Sequence, residues 1–250
     1  MQRYTRFMGL FLCLIIFLCP AISAASEIII DTSHAPDGYF SVCYSASESQ
    51  KMKVGITFGE DTTYYDYTAG DILSYAFAHG DGRYTITVCA NVKKSYYQVV
   101  SQKTINVKLN SKLAPYLAST YEVEFADDDI VGRTAHEICD EMPNEKKKVA
   151  AICNYVKENI VYDYNFAESV SNGTVKNYHP KASDVLKNKK GICYDYAVLF
   201  AAMCRSQAIP CDIQKGYYDG EYHAWDRVYY DGSWHDVDPT ILQNNESLKR

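Results

Sequence analysis

Scarcity bounds what this 250-residue chain can be. Glycine and proline number only 13 and 7, too few for a collagen-like or low-complexity protein. There is no C-x-x-C and no H-x-x-x-H, and the six histidines form no cluster with cysteine at zinc spacing. A structural metal is therefore not expected, and no cofactor motif is visible. A basic excess is also missing: 25 Lys and Arg face 31 Asp and Glu, a net charge of −6. Nucleic acid is not the expected partner. The one long apolar run, residues 7–18, is shorter than the ~20 residues that span a bilayer.

What is present describes a globular protein. Hydrophobic residues make up 47% of the chain, and 23 tyrosines lift the aromatic fraction to 14%. Aromatics suit a pleated, half-buried surface, so a β-rich part is expected. Arg3 and Arg6 precede the apolar run, and Pro20, Ala21, Ser23, Ala24 and Ala25 follow it. That is the pattern of a secretory signal peptide over residues 1–25, removed from a secreted or extracellular protein. A cell-wall or surface protein is then a natural target.

Cleavage leaves seven of the nine cysteines. An odd count in an exported chain points to one reactive thiol. The other six either form up to three disulfides or serve as small buried hydrophobes. Cys43 and Cys89 both sit in strand-like runs, where a cross-sheet bridge would fit.

Residues 27–110 read as strands at 27–31, 38–44, 51–58, 62–67, 72–76, 82–88 and 96–109, separated by turn signals. Asp81-Gly82 reads as a hairpin turn. Seven short strands at this spacing predict an Ig-like β-sandwich domain. From about residue 127 the apolar period becomes helical. Asp127 to Asp129 supply N-caps for a stripe of Val131, Ala135, Ile138, Cys139 and Met142. Pro143 separates it from a second stripe, Val149, Ile152, Cys153, Val156 and Ile160. Residues 161–181 read as polar and irregular, and a short helix from Ser183 should end at Lys187, Lys189 and Lys190 with Gly191 as left-handed cap. The predicted class is α+β, with a catalytic domain over 111–250.

The chemistry gathers in that second part. Gly191-Ile192-Cys193-Tyr194-Asp195-Tyr196-Ala197 opens a third helix, with Cys193 at its N-terminal end. Unpaired N–H groups and the helix dipole favour a thiolate there. Three strands follow, the last two joined by Asp231-Gly232. A two-residue loop there sets Arg227 opposite Asp236 and Trp225 opposite Asp238. His223 then lies diagonal to Asp238 on one face, about 7–8 Å away along the backbone. Arg227 is expected to take Asp236, leaving Asp238 for His223. Thiol, imidazole and carboxylate match the nucleophile, base and orienter of cysteine acyl transfer.

Gly191 to Ala197, then His223-Ala224-Trp225, Asp231-Gly232-Ser233-Trp234 and Asp238-Pro239-Thr240, resemble the transglutaminase-like superfamily over residues 145–240. The resemblance implies a papain-like core in which Cys193 is the nucleophile, His223 the base and Asp238 its orienter. It implies a protein or peptide substrate and a thioester intermediate. Water would complete hydrolysis as a protease or amidase; a lysine amine would complete a cross-link. A non-catalytic exported scaffold is the reading from another class. For the oxyanion donor, the Cys193 N–H comes first and Tyr162 second.

Overall fold

The computed structural model describes residues 27–44, 50–218 and 220–240. The expected signal peptide lies outside the described residues.

Seven strands come first: β1 (Ile28–Asp31), β2 (Tyr39–Tyr44), β3 (Lys51–Phe58), β4 (Asp61–Thr68), β5 (Ile72–Ala76), β6 (Gly82–Lys93) and β7 (Tyr96–Val107). They form two antiparallel sheets, in the orders β1-β2-β5 and β4-β3-β6-β7. Alternation decides which side chains meet. Phe40 and Val42 from one sheet, and Val54, Tyr84, Ile86 and Val88 from the other, are buried in one shared cluster. Each such side chain contributes roughly 1.5–3 kcal/mol.

Two expectations are overturned, the first by the same alternation and the second by the strand pairing. Cys43 follows inward Val42, and Cys89 pairs with Lys53 between inward Met52 and Val54. Both thiols point away from the shared core, so they cannot bridge it, and the seven described cysteines are all free. Nor does Asp81-Gly82 close a hairpin. β5 pairs with β2 while β6 pairs with β3 and β7, so the chain crosses between sheets there. The Asp81 carboxylate instead accepts the Leu109 N–H at 2.8 Å.

A connector over residues 108–129 leads to the second core. There α1 (Ile130–Cys139) is capped by Asp129, and α2 (Glu145–Asn159) by Asn144. Next come β8 (Val161–Tyr162), α3 (Tyr164–Ser171), α4 (Ala182–Asn188), β9 (Lys190–Gly191) and α5 (Cys193–Ser206). The sheet β10 (Cys211–Tyr218), β11 (Glu221–Tyr230) and β12 (Ser233–Val237) closes the fold. Its buried face, Ala224, Asp226 and Val228, packs towards α5, which is buried continuously from Asp195 to Arg205. The protein is thus a mixed α and β structure.

Two local readings need correction. Residues 164–171 are helical, because Asp163 caps them through the Phe166 N–H at 3.1 Å; the polar composition hid that cap. The left-handed residue after α4 is Lys189, at φ 52°, not Gly191. The turn Asp231-Gly232 has both φ values positive, 50° and 78°, as a two-residue hairpin loop of the primed type requires.

Candidate active site

Cys193 is the first residue of α5, with Ile192 as its N-cap. Asp195 holds this turn in shape. Its Oδ2 accepts the Ile192 N–H at 2.8 Å and its Oδ1 accepts the Tyr178 hydroxyl at 2.6 Å. Gly191 lets it do so: a Cβ there would lie 2.4 Å from the Asp195 Cβ. Gly191 is therefore needed for close approach. Burial raises the Asp195 carboxyl above its usual range, against these two bonds.

The short parallel pairing of β8 with β9 sets Tyr162 opposite Gly191. Tyr162 thereby lies beside Cys193, and burial, followed by the cysteine, pushes its phenol up to about 12. The Tyr196 hydroxyl anchors the same segment by donating to the Ile160 carbonyl at 2.5 Å.

His223 lies on β11, on the face opposite to Ala224 and Asp226. Its Nε2 is 2.5 Å from Asp238 Oδ2. The other oxygen of Asp238 accepts the Thr240 N–H at 2.9 Å and the Thr240 hydroxyl at 2.6 Å. The Cys193 thiol lies close enough to the imidazole to act on its titration. Asp238 first, then Cys193, push His223 up to about 10, against a smaller opposing effect of burial. Burial alone would raise Asp238, but the His223 and Thr240 bonds outweigh it and hold the carboxyl below its usual range. All three predicted residues are thus brought together. Their side chains stay partly open, with His223 18% and Asp238 13% exposed.

One predicted contact is replaced. Arg227 pairs with Asp212 across β10 and β11 at 2.9 Å, rather than with Asp236. Arg227 has an aspartate opposite it on each neighbouring strand, and it takes the less exposed one. Asp236 instead accepts the Trp225 indole N–H at 3.4 Å. Trp225 lies nearly parallel to the His223 ring, with centroids 6.3 Å apart.

Sequence reasoning missed Asp195, Tyr178 and Thr240. Asp195 sits three residues after the N-cap, where a capping carboxylate belongs, but Ile192 disguised the box. Thr240 follows Asp238 by two, the spacing of an Asx turn. Tyr178 has no local signal.

On the buried face, Asp226 is fully enclosed, and burial pushes its carboxyl well above the usual range. The Cys211 thiol donates to it at 3.5 Å. Among the described residues no group of three or more His, Cys, Asp and Glu is gathered as a metal site.

Residues 132–239 match the model of the transglutaminase-like superfamily. Curated relatives include the kyphoscoliosis peptidase of Mus musculus, 31% identical over 116 residues, and that of Homo sapiens, also 31% identical over 116 residues. Each alignment covers 42% of this chain, and the chain spans only 17% of the relatives' length. Similar solved structures include a protein of Cytophaga hutchinsonii provisionally described as a cysteine protease, 19% identical with a TM-score of 0.46, covering 82% of this chain and 79% of that one. Another is a TGase, 24% identical with a TM-score of 0.40, covering 50% of this chain and 34% of that one.

Proposed function

We propose that the transglutaminase-like domain at residues 132–239 performs cysteine-dependent acyl transfer on a peptide or glutaminyl amide. Cys193 is the nucleophile, His223 the base and Asp238 the orienter. The observation that carries this reading is the 2.5 Å contact of His223 with Asp238, in an imidazole whose titration Cys193 also raises.

His223 takes the proton of the Cys193 thiol, and Asp238 holds the imidazolium that results. The thiolate attacks the amide carbonyl. The Cys193 N–H and the Tyr162 hydroxyl are the proposed oxyanion donors, each worth ~2.7–4 kcal/mol if used as such donors generally are. His223 then protonates the leaving amine, and the acyl group remains on sulfur as a thioester.

Water completes the reaction in this reading, as a peptidase or amidase. Two observations support hydrolysis over cross-linking: the partial exposure of His223 and Asp238, which admits water to the thioester, and the peptidase name of the curated relatives. The substrate would be a protein or peptide of the wall or surface, met after export. The two N-terminal sheets, spanning 27–110, are read as an Ig-like sandwich domain preceding a catalytic domain at 111–250. Their seven strands and common core support that reading.

Alkylation of Cys193 by iodoacetamide, followed from pH 5 to 9 by peptide mass spectrometry, tests the assignment without a substrate. Wild type should react at the acid end and His223→Ala should not. A profile that rises only near the ordinary thiol range of ~8.5, unchanged in His223→Ala, would refute it. Incorporation of a labelled primary amine into a denatured protein in excess of its cleavage would replace hydrolysis by cross-linking.

A further inference from the structure

The connector between the two cores does more than join them. Tyr121 stacks on Tyr75 of the first core at 5.7 Å and on His179 at 4.1 Å. Its neighbour Glu122 accepts the Tyr194 hydroxyl at 3.1 Å and pairs with Lys215 of β10 at 2.5 Å. The Lys215 ammonium in turn sits 4.0 Å above the Tyr194 ring. Tyr194 is the residue directly after Cys193.

The polar contacts have one consistent set of protons. His179 Nε2 is 2.6 Å from the Tyr121 carbonyl, which can only accept, so Nε2 carries the proton. Nδ1 is left without a proton, 3.5 Å from the Tyr194 oxygen; the single phenol proton goes to the nearer Glu122 carboxylate, and His179 meets Tyr194 as an edge-on ring contact, centroids 6.3 Å apart. Burial lowers His179 and keeps it neutral, against the pull of the Tyr121 carbonyl and Glu122. Tyr194 burial raises its phenol well above the usual range, so it remains a donor. Its ring is thus held by a carboxylate, a cation and an imidazole from three separate segments.

We propose that Tyr194 is a positioning residue: clamped by Glu122, His179 and Lys215, it fixes the rotation of the first turn of α5 and so the aim of the Cys193 thiol at His223. The proposal rests on the acyl-transfer reading above. It gives the N-terminal sheets a catalytic consequence, because the stack Tyr75, Tyr121, His179 carries their position to the nucleophile. Asp195 holds the inner side of that turn, and Tyr194 holds the outer side. A thiol and imidazole misplaced by about 1 Å lose much of their coupling.

The test compares iodoacetamide alkylation of Cys193 against pH in wild type, Tyr194→Phe, Glu122→Ala and the double variant, with thermal unfolding of each. Tyr194→Phe should slow alkylation at pH 6 about tenfold, equivalent to ~1.4 kcal/mol, with little change in unfolding temperature. The double variant should lose less than the sum of the two single effects, because both substitutions remove the Glu122–Tyr194 bond. An unchanged pH profile in Tyr194→Phe would overturn the proposal, as would fully additive effects. Should Tyr194→Phe fail to fold, Glu122→Ala carries the same comparison from the partly exposed end of the bond. If wild type lacks acid-side reactivity that depends on His223, the acyl-transfer reading itself fails. If wild type has it and Tyr194→Phe keeps it, only the positioning role fails.

Discussion

Replacing Asp238 by asparagine should move the titration of His223 by a calculable amount. The carboxylate lies 2.5 Å from Nε2, and it is the largest cause of the rise of His223 from 6.5 to about 10. A hydrogen bond between charged groups is worth about 1.5–3 kcal/mol, and one pH unit corresponds to 1.36 kcal/mol. Asp238→Asn should therefore lower the midpoint by about 1–2 pH units, leaving Cys193 to supply the rest. The assay is the ring-carbon NMR signal of His223, followed from pH 5 to 11 in wild type and variant. Stability follows with a definite sign. The folded value lies above the unfolded one, so the imidazolium contributes stability that is complete below pH 6.5 and is lost as pH rises through about 10. In Asp238→Asn that loss should be complete at lower pH, and the full difference is present only below pH 6.5, so urea unfolding at pH 6 should separate the two proteins more than at pH 9. A wild-type midpoint near 6.5, or the same midpoint in both proteins, would refute the reasoning.

Three further outcomes follow from the surroundings of α5. Gly191→Ala forces a Cβ to 2.4 Å from the Asp195 Cβ and should cost about 1–3 kcal/mol in denaturant unfolding, with slower Cys193 alkylation; a neutral result would mean that the turn relaxes freely. Asp226 is buried with its pKa well above the usual range, so its contribution is complete below pH 3.8 and declines as pH rises towards the folded value. Asp226→Asn should thus gain about 1–3 kcal/mol at pH 7 and less at pH 4, and calorimetry at both values reads the difference; the reverse order would contradict it. Arg205 donates to the Cys211 carbonyl at 3.0 and 2.8 Å and to the Ala118 carbonyl at 2.8 Å. Arg205→Met should lose about 2–5 kcal/mol by urea titration, and an unchanged midpoint would show that water replaces the guanidinium.

The legible parts of this fold are those coded by short-range periodicity. The seven N-terminal strands follow from alternation and turn residues, and the β11–β12 register follows from Asp231-Gly232 alone. The diagonal from His223 to Asp238 is a consequence of that register, which is why a site residue beyond the end of the ladder was readable. What stayed hidden depends on which strand a segment joins. Asp81-Gly82 has hairpin chemistry, yet β5 and β6 belong to different sheets. The Asp231-Gly232 loop sets Asp236 opposite Arg227, while the competing Asp212 on β10 depends on the pairing at the other side of β11, which no two-residue loop encodes. The clamp on Tyr194 joins residues 72 positions apart in sequence, and no local pattern encodes it.

The design of α5 explains why the nucleophile sits where it does. A helix buried continuously from Asp195 to Arg205 cannot rotate or slide without breaking a close-packed core, so its body is a rigid mount. Burial of its ends carries the difficulty that unpaired N–H and C=O groups must be satisfied without water. At the N-terminal end Asp195 takes the Ile192 N–H, and its carboxylate also suits the positive end of the helix dipole. At the C-terminal end Arg205 suits the negative end, and its guanidinium reaches the connector at Ala118. The two buried charges therefore serve the helix first. Cys193 and Tyr194 are the first two residues of this helix, and both lie outside the continuously buried stretch. Packing alone leaves their turn free to adjust, and the Gly191–Asp195 contact on one side and the Glu122–Tyr194 bond on the other remove that freedom where the thiol must meet His223.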